Sequence, residues 1–160
     1  MRGIVERVHR VFKQNGLKLS VAESCTGGLI SHYITALPGA SLFFEAGAVT
    51  YSIEAKKKIL GIPEEILTRY GVISKETAAL MASSIMKITG THYGLSTTGN
   101  LGPDVMEGKE RGLIYIGVAH EDKTWTEEIR LTGDRRENKE EASLKALEFL
   151  LEVMEDNTHG

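Results

Sequence analysis

A chain of 160 residues with 41% hydrophobic and 26% charged side chains is long enough for one domain with a substantial core, and a single domain over 1–160 is expected. Its 19 basic and 22 acidic residues leave a formal charge of −3, which excludes the basic footprint of a protein that tracks nucleic-acid phosphates. One cysteine, Cys25, excludes an internal disulfide framework, the five histidines show no paired ligand spacing, and no apolar run reaches membrane-spanning length, so a cytoplasmic protein without metal, cofactor or membrane partner is expected.

The predicted elements follow in chain order. Ile4, Val5, Val8, Val11 and Phe12 recur at helical spacing over about 3 to 14, and Asn15-Gly16 ends that helix. Leu17, Leu19 and Val21 alternate with polar neighbours in a strand over 17 to 23, followed after Gly27-Gly28 by a helix over about 27 to 36. Pro38-Gly39-Ala40 is a turn, and the apolar, aromatic run from Leu42 to Tyr51 is a strand. Ser52 caps a helix through Leu60, and Pro63 begins another that closes at Tyr70-Gly71. Of the basic run Lys56-Lys57-Lys58, the last two read as the solvated side of that first helix. Ser74 precedes a long amphipathic helix whose inner face is Ala78, Met81, Ala82, Ile85 and Met86. A strand over 92 to 98, a polar loop to Gly112, a hairpin of strands over 113 to 120 and 124 to 131, and a helix over about 134 to 154 complete the chain. Alternating strands and helices with a closing hairpin imply an α/β fold, a layered mixed sheet flanked by helices.

In such sheets the loops that leave the carboxyl ends of strands form the ligand crevice. Three loops qualify here: Ser24-Cys-Thr-Gly-Gly28, Thr97 to Asp104, and Thr132-Gly-Asp-Arg-Arg136. Gly27 and Gly28 stand near a helix start, where unpaired N–H groups and the helix dipole favour an anion; the competing reading makes Ser24 or Thr26 a plain N-cap. Arg135 and Arg136 in the first turn of the last helix oppose its dipole, an arrangement explained by an anion lying between them and the helix end.

No Ser-His-Asp order and no G-x-S-x-G elbow occurs, so a base other than histidine is required. Lys56 is the candidate, because a desolvated lysine has a lowered pKa and can accept a serine proton. Ser41 precedes it across the strand over 42 to 51, so that pair meets only by folding back or across a subunit boundary.

The segments AESCTGG at 22–28, PGASLFFEAGAVTYSIEAKKKILGI at 38–62, YGVISKETAALMA at 70–82 and TTGNLGPD at 97–104 together resemble the CinA C-terminal domain family, in order and over nearly the whole chain. The resemblance implies a nicotinamide-nucleotide amidohydrolase that converts the carboxamide of nicotinamide mononucleotide to nicotinate mononucleotide and ammonia with a serine nucleophile and a lysine base. On matching positions these are Ser41 and Lys56, with Tyr51 beside them to relay or orient the proton; Ser24 is the rival serine. Phosphate and ribose are expected on Ser24, Thr26, Gly27, Gly28, Thr98, Gly99 and Arg135. The chain resembles the form of the family that stands alone, and a homo-oligomer with a small-molecule nucleotide substrate is expected. Three positions depart from the family pattern: Asn100-Leu101 where a small apolar pair is usual, Arg111 in place of a proline, and Lys139 in place of an arginine.

Two alternatives remain open at this point. One is a nucleotide-binding module of the same fold whose chemistry has decayed. In the other, Cys25 is the nucleophile, a thiol near a helix start having a lowered pKa; its competitor is a small buried residue packed on the sheet.

Overall fold

The computed structural model describes residues 2–104 and 106–159. The elements are α1 (Arg2–Asn15), β1 (Leu19–Glu23), α2 (Leu29–Thr35), a 3-10 turn (Ala40–Leu42), β2 (Phe44–Val49), α3 (Ile53–Leu60), α4 (Glu64–Tyr70), α5 (Lys75–Thr89), β3 (Tyr93–Gly99), β4 (Leu113–His120), β5 (Lys123–Arg130) and α6 (Arg135–His159). One five-stranded sheet has the order β2-β1-β3-β4-β5. β2, β1 and β3 are parallel, while β4 is antiparallel to both β3 and β5. The layered mixed α/β fold is therefore as expected.

Helices cover both faces. On one, α1, α2 and α6 bury Val8, Phe12, Ile34, Leu147 and Leu150 against Leu19, Val21, Leu95 and Ile116. On the other, α3, α4 and α5 enclose Leu60, Leu67, Met81 and Ile85 over Ala22. The two-residue period of β3 sends Leu95 into the first core, and its small neighbours Gly94 and Ser96 lie under α5. That approach is close: a Cβ on Gly94 would stand 2.1 Å from the Ala82 carbonyl and one on Gly117 2.3 Å from that of Ala78. Ser96 Oγ donates to the same Ala78 carbonyl at 2.6 Å. All five residues assigned to the inner face of α5 are buried. The predicted caps are present, Ser52 accepting from the Ala55 N–H at 3.0 Å and Ser74 from that of Thr77 at 3.1 Å, each contributing about 1 kcal/mol.

Several boundaries differ from the sequence reading: the first strand begins at Leu19 rather than 17 and the last helix runs on to His159. The helix predicted from 27 begins at Leu29, because Gly27 and Gly28 take φ of +58° and +102°, left-handed values that glycine alone adopts without cost. The strand predicted over 42 to 51 is shorter at both ends: Ala40–Leu42 coil into the 3-10 turn, and Thr50 and Tyr51 leave the sheet.

Candidate active site

Parallel pairing aligns the ends of β1 and β2, with Glu23 opposite Val49. The two strands therefore release their chains side by side, Ser24 from one and Thr50-Tyr51 from the other. β3 runs parallel to β1 with Thr97 opposite Glu23, and two antiparallel steps return β5 to the same direction. All three predicted loops thus open at one sheet edge, joined by a fourth over 50–52 that leads into α3.

Lys56 sits in the second turn of α3. It and Leu60, four residues on, are the buried residues of that helix, whereas Lys57 and Lys58 pair with Glu54 on the outside, as their solvated reading requires. The Lys56 ammonium is fully buried. It donates to Ser24 Oγ at 2.8 Å, to the Thr50 carbonyl at 2.7 Å and to the Tyr51 carbonyl at 3.0 Å. Burial lowers its pKa from 10.5 to about 8, partly offset by the neighbouring Cys25 and Glu107. In the neutral amine two N–H groups satisfy the two carbonyls, and the lone pair is left facing Ser24 Oγ. The hydrogen bond then reverses, with Ser24 donating to Lys56.

Ser41 is not brought to this lysine. It lies exposed in the 3-10 turn at the opposite end of β2, and the six residues of that strand span about 20 Å at roughly 3.3 Å each. The serine against Lys56 is Ser24. Tyr51 also differs from expectation, since its main-chain carbonyl contacts Lys56 while its hydroxyl accepts from Arg135 at 3.0 Å.

The glycine turn holds its own anion. Glu23, fully buried, accepts through Oε1 from Thr26 Oγ1 at 2.6 Å, the Gly28 N–H at 3.2 Å and the Ile30 N–H at 3.0 Å. Its Oε2 accepts from the Ser31 N–H at 2.9 Å and Ser31 Oγ at 2.8 Å. The Gly28, Ile30 and Ser31 N–H groups at the helix start, where an anion was expected, are therefore taken by a side chain, and the Gly27 and Leu29 N–H groups go to the Ser24 and Thr26 carbonyls at 3.0 and 3.1 Å. Thr26 serves the turn as well, its hydroxyl lying 2.8 Å from Thr97 Oγ1. Thr98 donates to the Val72 carbonyl at 2.9 Å.

Beside the serine–lysine pair lies a cavity of about 440 Å³ walled by Cys25, Tyr51, Met106, Arg135 and the segment 99–104. Arg135 donates to the Gly102 carbonyl at 2.7 Å as well as to Tyr51, so it ties α6 to two of the converging loops. Four residues on, along the same face of α6, the Lys139 ammonium lies over Gly27, where a Cβ would meet it at 3.3 Å. Cys25 is buried, and its thiol is pushed up to about 12 by that burial, the opposite of what a nucleophilic thiolate requires.

Of the departures from the family pattern, Asn100, Leu101 and Arg111 are structural in their immediate role. Asn100 donates to the Lys109 and Glu110 carbonyls at 3.0 and 3.3 Å and accepts from the Met106 N–H at 3.2 Å, closing its loop on itself. Leu101 is buried in the larger core, and Arg111 packs across Gly102. Glu107 and Lys109, which the sequence reading passed over, fasten this loop to the turn after α4. The Glu107 carboxylate accepts from the Val72 and Ile73 N–H groups at 2.8 and 3.1 Å, and Lys109 donates to the Tyr70 and Ile73 carbonyls. Glu23 and Thr50 were likewise missed. Aligned carboxyl ends of neighbouring parallel strands are the signal that would have found them. Among the described residues, no cluster of three or more His, Cys, Asp or Glu side chains is placed to hold a metal ion, and no helix is long and apolar enough to cross a membrane.

A family model described as the CinA C-terminal domain matches residues 1–154. A protein of Caldicellulosiruptor saccharolyticus that carries the competence-damage inducible name is 49% identical over 146 residues, 91% of this chain and 36% of the relative. A CinA-like protein of Kosmotoga olearia is 42% identical over 146 residues, with 91% of this chain and 35% of the relative covered. The chain thus spans little more than a third of the length of these curated relatives. Among solved structures, the competence damage-inducible protein A of Klebsiella pneumoniae superposes with a TM-score of 0.93 at 28% identity, covering 96% of both chains. The competence/damage inducible protein CihA of Agrobacterium tumefaciens superposes with a TM-score of 0.91 at 32% identity over 95% of this chain and 94% of the other.

Proposed function

We propose, from the premise that the chain belongs to the CinA C-terminal domain family, that it is a serine–lysine amidohydrolase acting on the carboxamide of nicotinamide mononucleotide. The observation that carries this reading is the fully buried Lys56 ammonium 2.8 Å from Ser24 Oγ. Burying a cation with only neutral partners is expensive, and a neutral base next to a hydroxyl is what a primary amide, a poor electrophile, requires of a nucleophile.

Lys56 in its neutral form takes the Ser24 proton as Oγ attacks the amide carbon, and the C=O electrons move onto oxygen. The Gly27, Gly28, Leu29, Ile30 and Ser31 N–H groups all have partners within the protein. The oxyanion is assigned to the Cys25 N–H, next in the chain after the nucleophile and on the cavity wall. Collapse of the tetrahedral intermediate breaks the C–N bond, and the Lys56 ammonium gives its proton to the departing nitrogen, releasing ammonia. Lys56 then deprotonates a water that attacks the acyl ester, Ser24 is regenerated, and nicotinate mononucleotide leaves.

The nucleotide occupies the cavity walled by Tyr51, Met106 and the segment 99–104, with its phosphate toward Arg135 and Lys139, cations on the crevice face of α6. Asn100 and Leu101 hold the loop and core rather than alter the reacting groups, so they do not favour the binding-module reading.

The test is incubation of the purified chain with nicotinamide mononucleotide, with ammonia and nicotinate mononucleotide measured together. Equimolar appearance of both is expected. Binding of the mononucleotide without either product would establish the binding module instead.

A further inference from the structure

Glu23 is a buried acidic group that takes no part in the proton transfers above, yet it touches both halves of the site. Its carboxylate is fully buried and accepts five hydrogen bonds from Thr26, Gly28, Ile30 and Ser31, which suits a group that only accepts. Its main-chain carbonyl accepts from the Thr50 N–H at 2.8 Å. Thr50 in turn offers its own carbonyl to Lys56 at 2.7 Å. Ser24 is the next residue in the chain.

We propose that Glu23 is a positioning residue for the reaction: its carboxylate holds the Ser24–Ser31 segment in the conformation that aims Ser24 Oγ at Lys56. This rests on Ser24 as nucleophile. Four of the five bonds go to donors beyond Gly27, three of them main-chain N–H groups. Without the carboxylate these donors lose a shared acceptor in a buried place, and the two left-handed glycines let the turn rearrange. The consequence is also an exclusion, because a segment saturated by an internal carboxylate has no donors left there for a substrate phosphate.

The experiment compares the full chain with its Glu23→Gln and Glu23→Ala variants by two readouts. One is kcat and KM for nicotinamide mononucleotide; the other is the rate at which an aryl sulfonyl fluoride labels Ser24, followed by peptide mass spectrometry. Glutamine keeps the volume but turns N–H donors toward N–H donors, so both variants should lose about a hundredfold in kcat and in labelling, the scale of a misplaced reacting group, with KM nearly unchanged. Added formate refills the space in Glu23→Ala and should restore labelling at least tenfold, but not in Glu23→Gln, where the space is occupied.

Wild-type labelling and turnover in either variant would overturn the proposal, and so would a folded, impaired Glu23→Ala that formate leaves unchanged. If Glu23→Ala is too destabilised for kinetics, its melting temperature is the readout: a rise with formate and not with chloride supports the role, and no rise contradicts it. Because labelling needs no nucleotide, a wild-type protein that reacts with the sulfonyl fluoride but not with the mononucleotide would refute the substrate and leave the role of Glu23 measurable.

Discussion

The Lys56 ammonium and Ser24 Oγ lie 2.8 Å apart, although 32 residues separate them in the chain. Parallel strands β1 and β2 end in register, and α3, which follows β2, carries the lysine back over the serine. Burial does the rest, favouring the neutral amine.

Because burial lowers the Lys56 pKa to about 8, the fraction of competent neutral amine grows as pH rises. The expected kcat/KM profile climbs tenfold per pH unit below about 8 and levels above it. Lys56→Arg should be inactive across the range, since arginine does not deprotonate in a protein. A flat profile from pH 6 to 9 would show that Lys56 is not the base.

The same shift makes a stability prediction. Between the folded value of about 8 and the ordinary value of 10.5 the unfolded chain binds more protons than the folded one, so stability rises with pH in that window. Below about 8 both states are protonated and the folded protein carries the full penalty of a buried cation. Lys56→Met lacks this titration, so the stability of the wild-type protein relative to Lys56→Met should rise by about 2–3 kcal/mol between pH 7 and pH 10, at ~1.4 kcal/mol per pKa unit. Urea unfolding of both proteins at pH 7 and pH 10 checks this.

Arg135 spans Tyr51 and the Gly102 carbonyl and faces the cavity, so Arg135→Ala should weaken the mononucleotide by about ten- to a hundredfold, as for a charge-assisted bond of roughly 1.5–3 kcal/mol. The corresponding riboside, lacking the phosphate, should lose much less. Lys139→Arg should tighten only the mononucleotide, a planar fork replacing a point charge. Equal losses for both ligands, measured by calorimetry, would make Arg135 a structural clamp.

Glu107 holds the cavity loop to the Val72 and Ile73 N–H groups. Glu107→Ala should raise KM severalfold through a displaced Met106 wall, and hydrogen exchange should accelerate at residues 70–73 and 100–112 together. Exchange confined to one of the two segments would show that they are not coupled.

The sequence exposed the elements that depend on local chemistry. Ser52 and Ser74 cap the helices assigned to them, the apolar period of α5 names its buried face, and the glycines after Cys25 mark a sharp turn. Lys56 was legible as the candidate base, because a desolvated lysine has a lowered pKa while Lys57 and Lys58 read as solvated, and the structure buries Lys56 and pairs the other two with Glu54. Its partner was not. Ser41 is closer in the chain, and only the in-register parallel pairing of β1 with β2 reveals that the strand between Ser41 and Lys56 keeps them apart while bringing Ser24 near. The anion at the glycine turn was misread for a related reason: a helix start with unpaired N–H groups looks alike whether a ligand or a neighbouring carboxylate fills it, and here Glu23 does.

The central claim is that Ser24, activated by Lys56, is the nucleophile. The most direct measurement is ammonia release from nicotinamide mononucleotide by wild-type protein, Ser24→Ala and Ser41→Ala, each shown to be folded and to bind the mononucleotide. Ser41, exposed at the far end of β2, should be replaceable with no change in rate, and Ser24→Ala should release no ammonia above the uncatalysed background. Turnover that survives in Ser24→Ala, or that vanishes in Ser41→Ala, would contradict the account.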